Sequence, residues 1–259
     1  MPNNSKVIFM IHGMWGGPWY WEKYKTFFES NGYHCIVPTL LLHEKEANRK
    51  ALIDVGKISL RDYVEHLEQQ IRALQEPPII MGHSMGGLLA LILASKGLAK
   101  EAILITPAPP HDVFAFRWSV VRSFSSSFFR LNFWERPCKP TFGEAVYAML
   151  HELSPDEQRE VFEKFVYESG RAASEIGFSF FDAGKASWIE AKEIPCPVLV
   201  IGAEKDRITP ASVVKEIAQH YGAAYKEFHG HAHWIIGEKG WKEVAEYLYL
   251  WMNGKTSFT

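Results

Sequence analysis

Hydrophobic positions along the chain follow two alternating rhythms. Short, largely apolar runs, VIFMI, HCIVP, PIIMG, AILIT, PVLVIG and AYKEF, have the length of strands. Between several of them apolar residues recur at helical spacing, as with Leu60, Tyr63, Val64, Leu67, Ile71 and Leu74 in SLRDYVEHLEQQIRAL. A strand that is apolar at every position, rather than at alternate ones, is covered on both faces, as in a sheet sandwiched between helices. The pattern therefore predicts an α/β fold with a doubly wound, mostly parallel sheet.

The rhythm fails between about His111 and Glu190, where AILIT should lead directly to PVLVIG. That stretch holds 17 of the 36 aromatic residues, including Phe114, Phe116, Trp118, Phe124, Phe128, Phe129, Phe133 and Trp134. Helical runs such as SPDEQREVFEKFVYES lie inside it, opened by an N-cap Ser154, Pro155 at the first helical position and acids in the first turn. The expected division is a core domain, residues 1–110 and 191–259, and a helical cap, residues 111–190, inserted over the strand ends. Most of the cap's aromatics should form its own core, and part of its apolar surface should face a pocket.

Composition removes several classes of function. Of the 259 residues 47% are hydrophobic and 22% charged, as in an ordinary soluble globular protein, so disorder is not expected. The net charge of −2, with Lys and Arg scattered, lacks the basic stripe that binds phosphates, and nucleic acid is not an expected partner. Cys35, Cys138 and Cys196 are odd in number and lack any CxxC, suggesting neither a disulfide framework nor a cysteine zinc site; a reducing cytoplasm is the expected location. Only VIFMI separates Lys6 from His12, too short for a signal-peptide core or a membrane span.

Three segments carry candidate chemistry. In IIMGHSMGG, Gly82-His83-Ser84-Met85-Gly86 matches G-x-S-x-G between a strand and the buried helical run GGLLALILAS. Small residues are needed on both sides because the strand turns sharply into the helix with a strained serine at the tip. In FMIHGMWGG a strand ends in His12-Gly13 and a glycine-bearing loop follows. A serine hydrolase aims two backbone N–H groups at the developing oxyanion, one from the residue after the nucleophile and one from such a loop. Met85 and Met14 are the natural donors, with Trp15 competing for the second role. No G-x-G-x-x-G or Lys-Ser/Thr follows, so the loop does not read as a phosphate cradle. In VLVIGAEKDRITP a strand runs into a loop bearing Glu204 and Asp206. An acid there can accept a histidine Nδ1–H and fix its tautomer. Asp206 is the better placed, Glu204 lying nearer the strand, and Asp112 in TPAPPHD is a possible substitute.

FHGHAHWII places His229, His231 and His233 at every second position, which in a continuous strand would put three imidazoles on one face. Zinc hydrolases need further ligands from other loops, and the remaining histidines are not arranged to supply them. His12 and His83 belong to the motifs above, while His34, His43, His66, His151 and His220 fall in strand, loop or helical surface contexts. His111 fits a pocket wall or a buried structural role equally. No metal or other cofactor is expected.

The arrangement resembles the α/β-hydrolase superfamily, in its serine carboxylesterase and lipase-like branch. The resemblance runs from about Val7 to Asn253 apart from the insertion, and rests on His12-Gly13, Gly82 to Gly87, the G-x-x-x-D of Gly202 to Asp206 and a late histidine, in the order Ser, Asp, His. It implies an eight-stranded sheet with a cap inserted after the sixth family strand. Only six residues precede VIFMI here, so the two antiparallel strands that usually come first should be missing or reduced, leaving about six. HGMWGGPWYW is also similar to the H-G-x-x-x-G-x-W-x-W of small esterases, in which the residue after H-G supplies an oxyanion amide, matching Met14. The pattern of Gly-rich turn, His and large apolar residue favours His233, followed by Trp234, as base, with His231 as its competitor. The implied activity is hydrolysis of carboxylic esters with an apolar acyl or alcohol group by Ser84, His233 and Asp206. A thioesterase, a lactonase or a carbon–carbon bond hydrolase would use the same triad, and a hydrophobic-ligand receptor is the non-enzyme alternative.

Overall fold

The structure is a computed structural model in which residues 6–43, 53–113, 118–128, 130–189 and 194–255 are described. Phe114, Phe116 and Phe129 lie outside them. Among the described residues eight strands occur, β1 (Lys6–Ile11), β2 (Tyr33–Ile36), β3 (Ile79–His83), β4 (Glu101–Ile105), β5 (Pro137–Cys138), β6 (Glu168–Ser169), β7 (Val198–Ala203) and β8 (Ala224–Phe228). The helices of eight residues or more among the described residues are α1 (Glu22–Ser30), α2 (Leu60–Arg72), α3 (Met85–Ser95), α4 (Pro155–Glu163), α5 (Gly170–Gly177), α6 (Ala211–His220) and α7 (Trp241–Met252).

Six strands form one parallel sheet in the order β2-β1-β3-β4-β7-β8, each strand-length run of the sequence supplying one of them; the edge strand β8 carries Lys226 and Glu227 and buries only Phe228. The register carries Ile8 beside Cys35, Met10 beside Met81, Met81 beside Ile103, Ile103 beside Leu199, and Leu199 beside Ala224. After β1 the chain moves to one side for β2 and returns on the other side for β3. In doubly wound sheets that reversal opens a crevice beyond the carboxyl ends of the two strands. The sequence between them and the helices is what makes the sheet stay covered. Residues Met85 to Ala94 of α3 are all buried, so this helix is apolar all round and runs through the middle of the core. Each fully buried leucine there, such as Leu88, Leu89 and Leu93, contributes about 1.5–3 kcal/mol. Helix α2 is amphipathic instead: Leu60, Tyr63, Val64, Leu67 and Ile71 face inward, and Ser59 with Asp62 forms a capping box at its start.

Between β4 and β7 the chain forms short helices, a π-helical turn at Val146–Leu150 and an antiparallel ribbon in which Pro137 pairs with Ser169. Ser154 and Pro155 open α4 as the sequence suggests, with Ser154 and Glu157 completing a capping box. The helix nevertheless stops at Glu163, short of the full run SPDEQREVFEKFVYES. Phe165, Val166 and Tyr167 are weak helix formers, and bonds to the core made by Val166 and Glu168 take the place of the last turn. Among the described residues no helix is long and apolar enough to cross a membrane.

Candidate active site

Loops leaving the carboxyl ends of β1, β3, β7 and β8 meet at the crevice. Ser84 stands between β3 and α3 with φ 57° and ψ −122°, a backbone conformation that strains a residue with a side chain. The neighbouring glycines make the turn possible: a Cβ on Gly82 would run into the carbonyl of Gly86, and one on Gly86 into that of Ile11. One on Gly13 would lie 2.9 Å from the Ser84 Cβ. Hydrogen bonds hold the turn in place. Ser84 N–H donates to Ile105 O at 3.0 Å, and Ser84 O accepts from Gly87 N and Ala108 N, both at 2.9 Å.

His233 Nε2 lies 2.9 Å from Ser84 Oγ, and His233 Nδ1 lies 2.7 Å from Asp206 Oδ2. All three residues are buried. Facing a carboxylate, Nδ1 carries the proton, which leaves the Nε2 lone pair to accept from the serine hydroxyl. Asp206 is itself held: Oδ1 accepts from Ile208 N at 2.8 Å and Thr209 N at 2.9 Å, and the Thr209 hydroxyl lies 2.9 Å from Oδ2. The segment Ile208-Thr209 that opens toward α6 thus fixes the acid by a turn, the work Asp does at such positions.

Two further histidines of the motifs are structural donors. His83 Nε2 donates to the His233 carbonyl at 2.8 Å, tying β3 to the loop of His233. Burial and the nearness of His233 hold His83 well below the ordinary histidine range, so it stays neutral. Burial and the nearby His43 lower His12 to about 3. Its Nδ1 donates to Gly13 O at 2.9 Å, and its Nε2 accepts from Leu40 N at 3.2 Å. Among the described residues the N–H groups of Met14 and Met85 meet no protein acceptor, and neither does that of Trp15. Met85 N–H also lies at the positive end of α3.

The three alternating histidines part company. The strand ends at Phe228 and turns through Gly230 at φ 78°, so no common face exists. His229 is 80% exposed, with Nδ1 3.5 Å from Glu204 Oε1, and Glu204 Oε2 accepts from Gly230 N at 2.9 Å. His231 is buried, with Nδ1 3.1 Å from Glu238 Oε2. Its carbonyl accepts from Lys205 N at 2.8 Å, which joins the loop of Asp206 to that of His233. Among the described residues no group of three His, Cys, Asp or Glu is placed to hold a metal ion. Asp112 is engaged elsewhere, 2.9 Å from Tyr221 Oη and 2.6 Å from His220 Nε2. His111 packs between Phe180 and Trp188, at 5.2 and 5.1 Å between ring centroids, and its Nδ1 lies 3.0 Å from Ser179 O.

Sequence reasoning missed residues whose partners are distant in the chain. Tyr20 donates its hydroxyl to the Met14 carbonyl at 2.8 Å. His43, read as a surface or loop histidine, is buried: Nε2 lies 3.0 Å from Glu168 Oε2, and Tyr63 donates to Glu168 Oε1 at 2.7 Å. Glu175 accepts from Ser59 Oγ at 2.8 Å and Leu60 N at 2.7 Å, bonding the segment between β4 and β7 to the start of α2. The one available signal was a Glu inside an otherwise apolar or small-residue stretch, which is weak on its own.

The sequence profile of the Alpha/beta hydrolase family matches residues 8–247. The chain belongs to this family. A 106-residue stretch is 30% identical to Methylesterase 4 of Arabidopsis thaliana, covering 40% of this chain and 39% of that protein. Methylesterase 7 of the same plant is 26% identical over 197 residues, 68% of this chain and 73% of the relative. Methyl jasmonate esterase 1 of Vitis vinifera is 34% identical over 107 residues, 40% of each chain. Among solved structures, a monoacylglycerol lipase of Paleococcus ferrophilus superposes with a TM-score of 0.70 at 19% identity, over 96% of this chain and 95% of that one, a likeness of fold.

Proposed function

We propose that this hydrolase cleaves carboxylic esters of apolar acids, esters of small alcohols such as methanol among them, with Ser84 as nucleophile. The observation that carries the reading is the buried line Asp206–His233–Ser84, with contacts of 2.7 and 2.9 Å. The names of the methylesterase relatives support the choice of a methyl or similarly small leaving group.

In this mechanism Ser84 Oγ attacks the ester carbonyl while its proton passes to His233 Nε2, and Asp206 stabilises the resulting imidazolium. The amides of Met14 and Met85 hold the oxyanion of the tetrahedral intermediate. His233 then protonates the departing alkoxide, giving the alcohol and an acyl-serine. Water, deprotonated by the same nitrogen, attacks the acyl carbonyl and releases the carboxylic acid with Ser84 restored. The aromatic segment 111–190 acts as a cap over the strand ends, offering apolar surface to the acyl or alcohol group.

Covalent labelling tests the nucleophile directly. A fluorophosphonate should label the wild type at Ser84 and leave Ser84→Ala unlabelled. Hydrolysis should then be measured on methyl esters and on p-nitrophenyl esters of increasing acyl length, beside a thioester and a lactone. Preference for the oxygen esters supports the proposal; full activity in Ser84→Ala, or a uniformly weak response, overturns it.

A further inference from the structure

Three successive carbonyls of the loop after β1 are each held by a different element. The His12 ring donates to Gly13 O at 2.9 Å, the Tyr20 hydroxyl to Met14 O at 2.8 Å, and the backbone N–H of Val166 to Trp15 O at 2.9 Å. The first two donors belong to the core. The third comes from the segment between β4 and β7, and it holds the residue with the least comfortable backbone, since Trp15 has φ 62°. A non-glycine residue in that region returns to a commoner conformation unless its surroundings fix it. A peptide plane that rotates there acts first on the adjoining plane, which carries Trp15 N–H and Met14 O, and through it on the plane of Gly13 O and Met14 N–H.

The Val166 N–H is held in place two residues further on. Glu168 is fully buried, and all its contacts reach the core or its own strand: Tyr63 Oη at 2.7 Å, His43 Nε2 at 3.0 Å and Ser169 N at 2.6 Å. His43 Nδ1 also faces an acceptor, Leu41 O at 3.0 Å. Both ring nitrogens of His43 thus face oxygens, and Glu168 and His43 form a buried carboxylate–imidazole pair. A buried pair of this kind is weak evidence for stability alone, because desolvation offsets the attraction, but it fixes geometry closely. Ser169 adds a second fastening, its hydroxyl lying 2.6 Å from Ile58 O.

We propose that Glu168 is a positioning residue for the oxyanion loop: by fastening the segment Val166–Ser169 to His43 and Tyr63, it keeps the Val166 N–H on the Trp15 carbonyl and so, through the one peptide between them, steadies the Met14 amide. The inference rests on the proposed function, since it assigns a role in the reaction of Ser84. It places the reaction's electrostatic apparatus partly under the control of a side chain outside the core domain, and makes the segment's seating a condition for turnover.

The test is steady-state hydrolysis of a p-nitrophenyl ester by Glu168→Ala, with the active fraction titrated to completion by a fluorophosphonate so that kcat is expressed per reactive serine. A trifluoromethyl ketone, which forms a tetrahedral adduct with an oxyanion, supplies the second readout. The expected result is a loss of kcat of about tenfold or more with KM within about threefold, as removal of oxyanion support predicts. The ketone should weaken by the same factor as kcat/KM. Glu168→Gln, which still accepts from Tyr63 and Ser169 N, should recover most of the loss. A kcat per reactive serine reduced less than threefold in Glu168→Ala, or a change in KM alone, overturns the proposal. If Glu168→Ala does not fold, Glu168→Asp, with a shorter arm, is judged by the same threefold limit. Failure of the wild type to label at Ser84 would remove the functional reading itself; a labelled wild type with an indifferent Glu168→Ala removes only the role of Glu168.

Discussion

The sheet core and the segment from Trp118 to Ile189 are held by different physics. In the core, strands and α3 bury apolar side chains continuously, and the register needs little beyond that. The segment adds residues such as Met149, Leu150 and Phe165 to the same core but exposes far more: nine of the eleven large apolar side chains exposed among the described residues lie between Trp118 and Trp188. Beside that apolar packing, its connections to the core include polar, directional ones, Glu168 to Tyr63 and His43, Glu175 to Ser59 and Leu60 N, Val166 N to Trp15 O. Hydrophobic burial is non-directional and tolerates sliding, whereas a buried carboxylate has to meet its donors within tenths of an ångström. The core is therefore built for stability and the segment for placement.

If chemistry belongs to the core's edge and selectivity to the segment, the largest contrast should be kinetic. Ser84→Ala and His233→Ala are each expected to lower kcat by about 10⁴- to 10⁶-fold without unfolding the protein. Phe124→Ala, whose ring lies 5.5 Å from Trp15, should instead shift the preferred acyl length, by about tenfold in relative kcat/KM. A Phe124→Ala as inactive as Ser84→Ala, in folded protein, would erase the division.

The two buried glutamates should respond to pH with opposite signs. Burial alone would raise Glu168, but the His43 charge and the bonds from His43, Tyr63 and Ser169 N hold it below the ordinary carboxylate range. Its contribution to stability is thus present above the unfolded pKa and lost as pH falls through the lowered folded value. Glu175 is raised, chiefly by burial, against bonds from Leu60 N, Ser59 and Arg171. Its contribution is full below the unfolded pKa and declines as pH rises through the raised value. Denaturant unfolding from acid to neutral pH should show Glu168→Gln losing most at neutral pH and converging on the wild type in acid, while Glu175→Gln gains relative to the wild type as pH rises. Breaking a buried pair outright typically costs about 3–5 kcal/mol, so Glu168→Ala should be the more destabilising variant. Parallel curves for the two glutamines would show that the carboxylates are equivalent anchors.

Packing offers a simpler contrast. Leu89→Ala in α3, where the side chain is wholly buried, should cost about 2–5 kcal/mol. Leu131→Ala, at a position 81% exposed, should change stability by less than about 0.5 kcal/mol. Equal losses would mean that the exposed apolar surface is packed against something in solution.

Why the sequence was readable in one region and not in the other follows from the same difference. Short, largely apolar runs located all six sheet strands, and G-H-S-M-G-G located the turn, because a glycine is demanded wherever a Cβ would strike Gly86 O or Ile11 O. The order of Ser84, Asp206 and His233 along the chain was enough to suggest that they meet. Nothing local marks Glu168 as a partner of Tyr63, 105 residues earlier, or ends α4 at Glu163. Those outcomes depend on tertiary bonds that override helix propensity, and periodicity carries no trace of them.

The smallest effects separate two histidines that the sequence presents as equals. His231 is buried against Glu238 Oε2, which also accepts from Ala232 N at 3.0 Å, and its carbonyl receives Lys205 N from the loop of Asp206. Truncating it leaves a buried carboxylate short of a donor, one residue pair away from His233. His231→Ala should therefore lose about 1–3 kcal/mol of stability, measured by denaturant unfolding. Its kcat should drop several-fold as the base's loop loosens. His229 has only the surface contact with Glu204, worth little in water, so His229→Ala should be kinetically silent. An inactive His229→Ala would revive the common face that the turn at Gly230 abolishes, and a silent His231→Ala would show that Lys205 N and the peptide backbone hold the loop without the side chain's help.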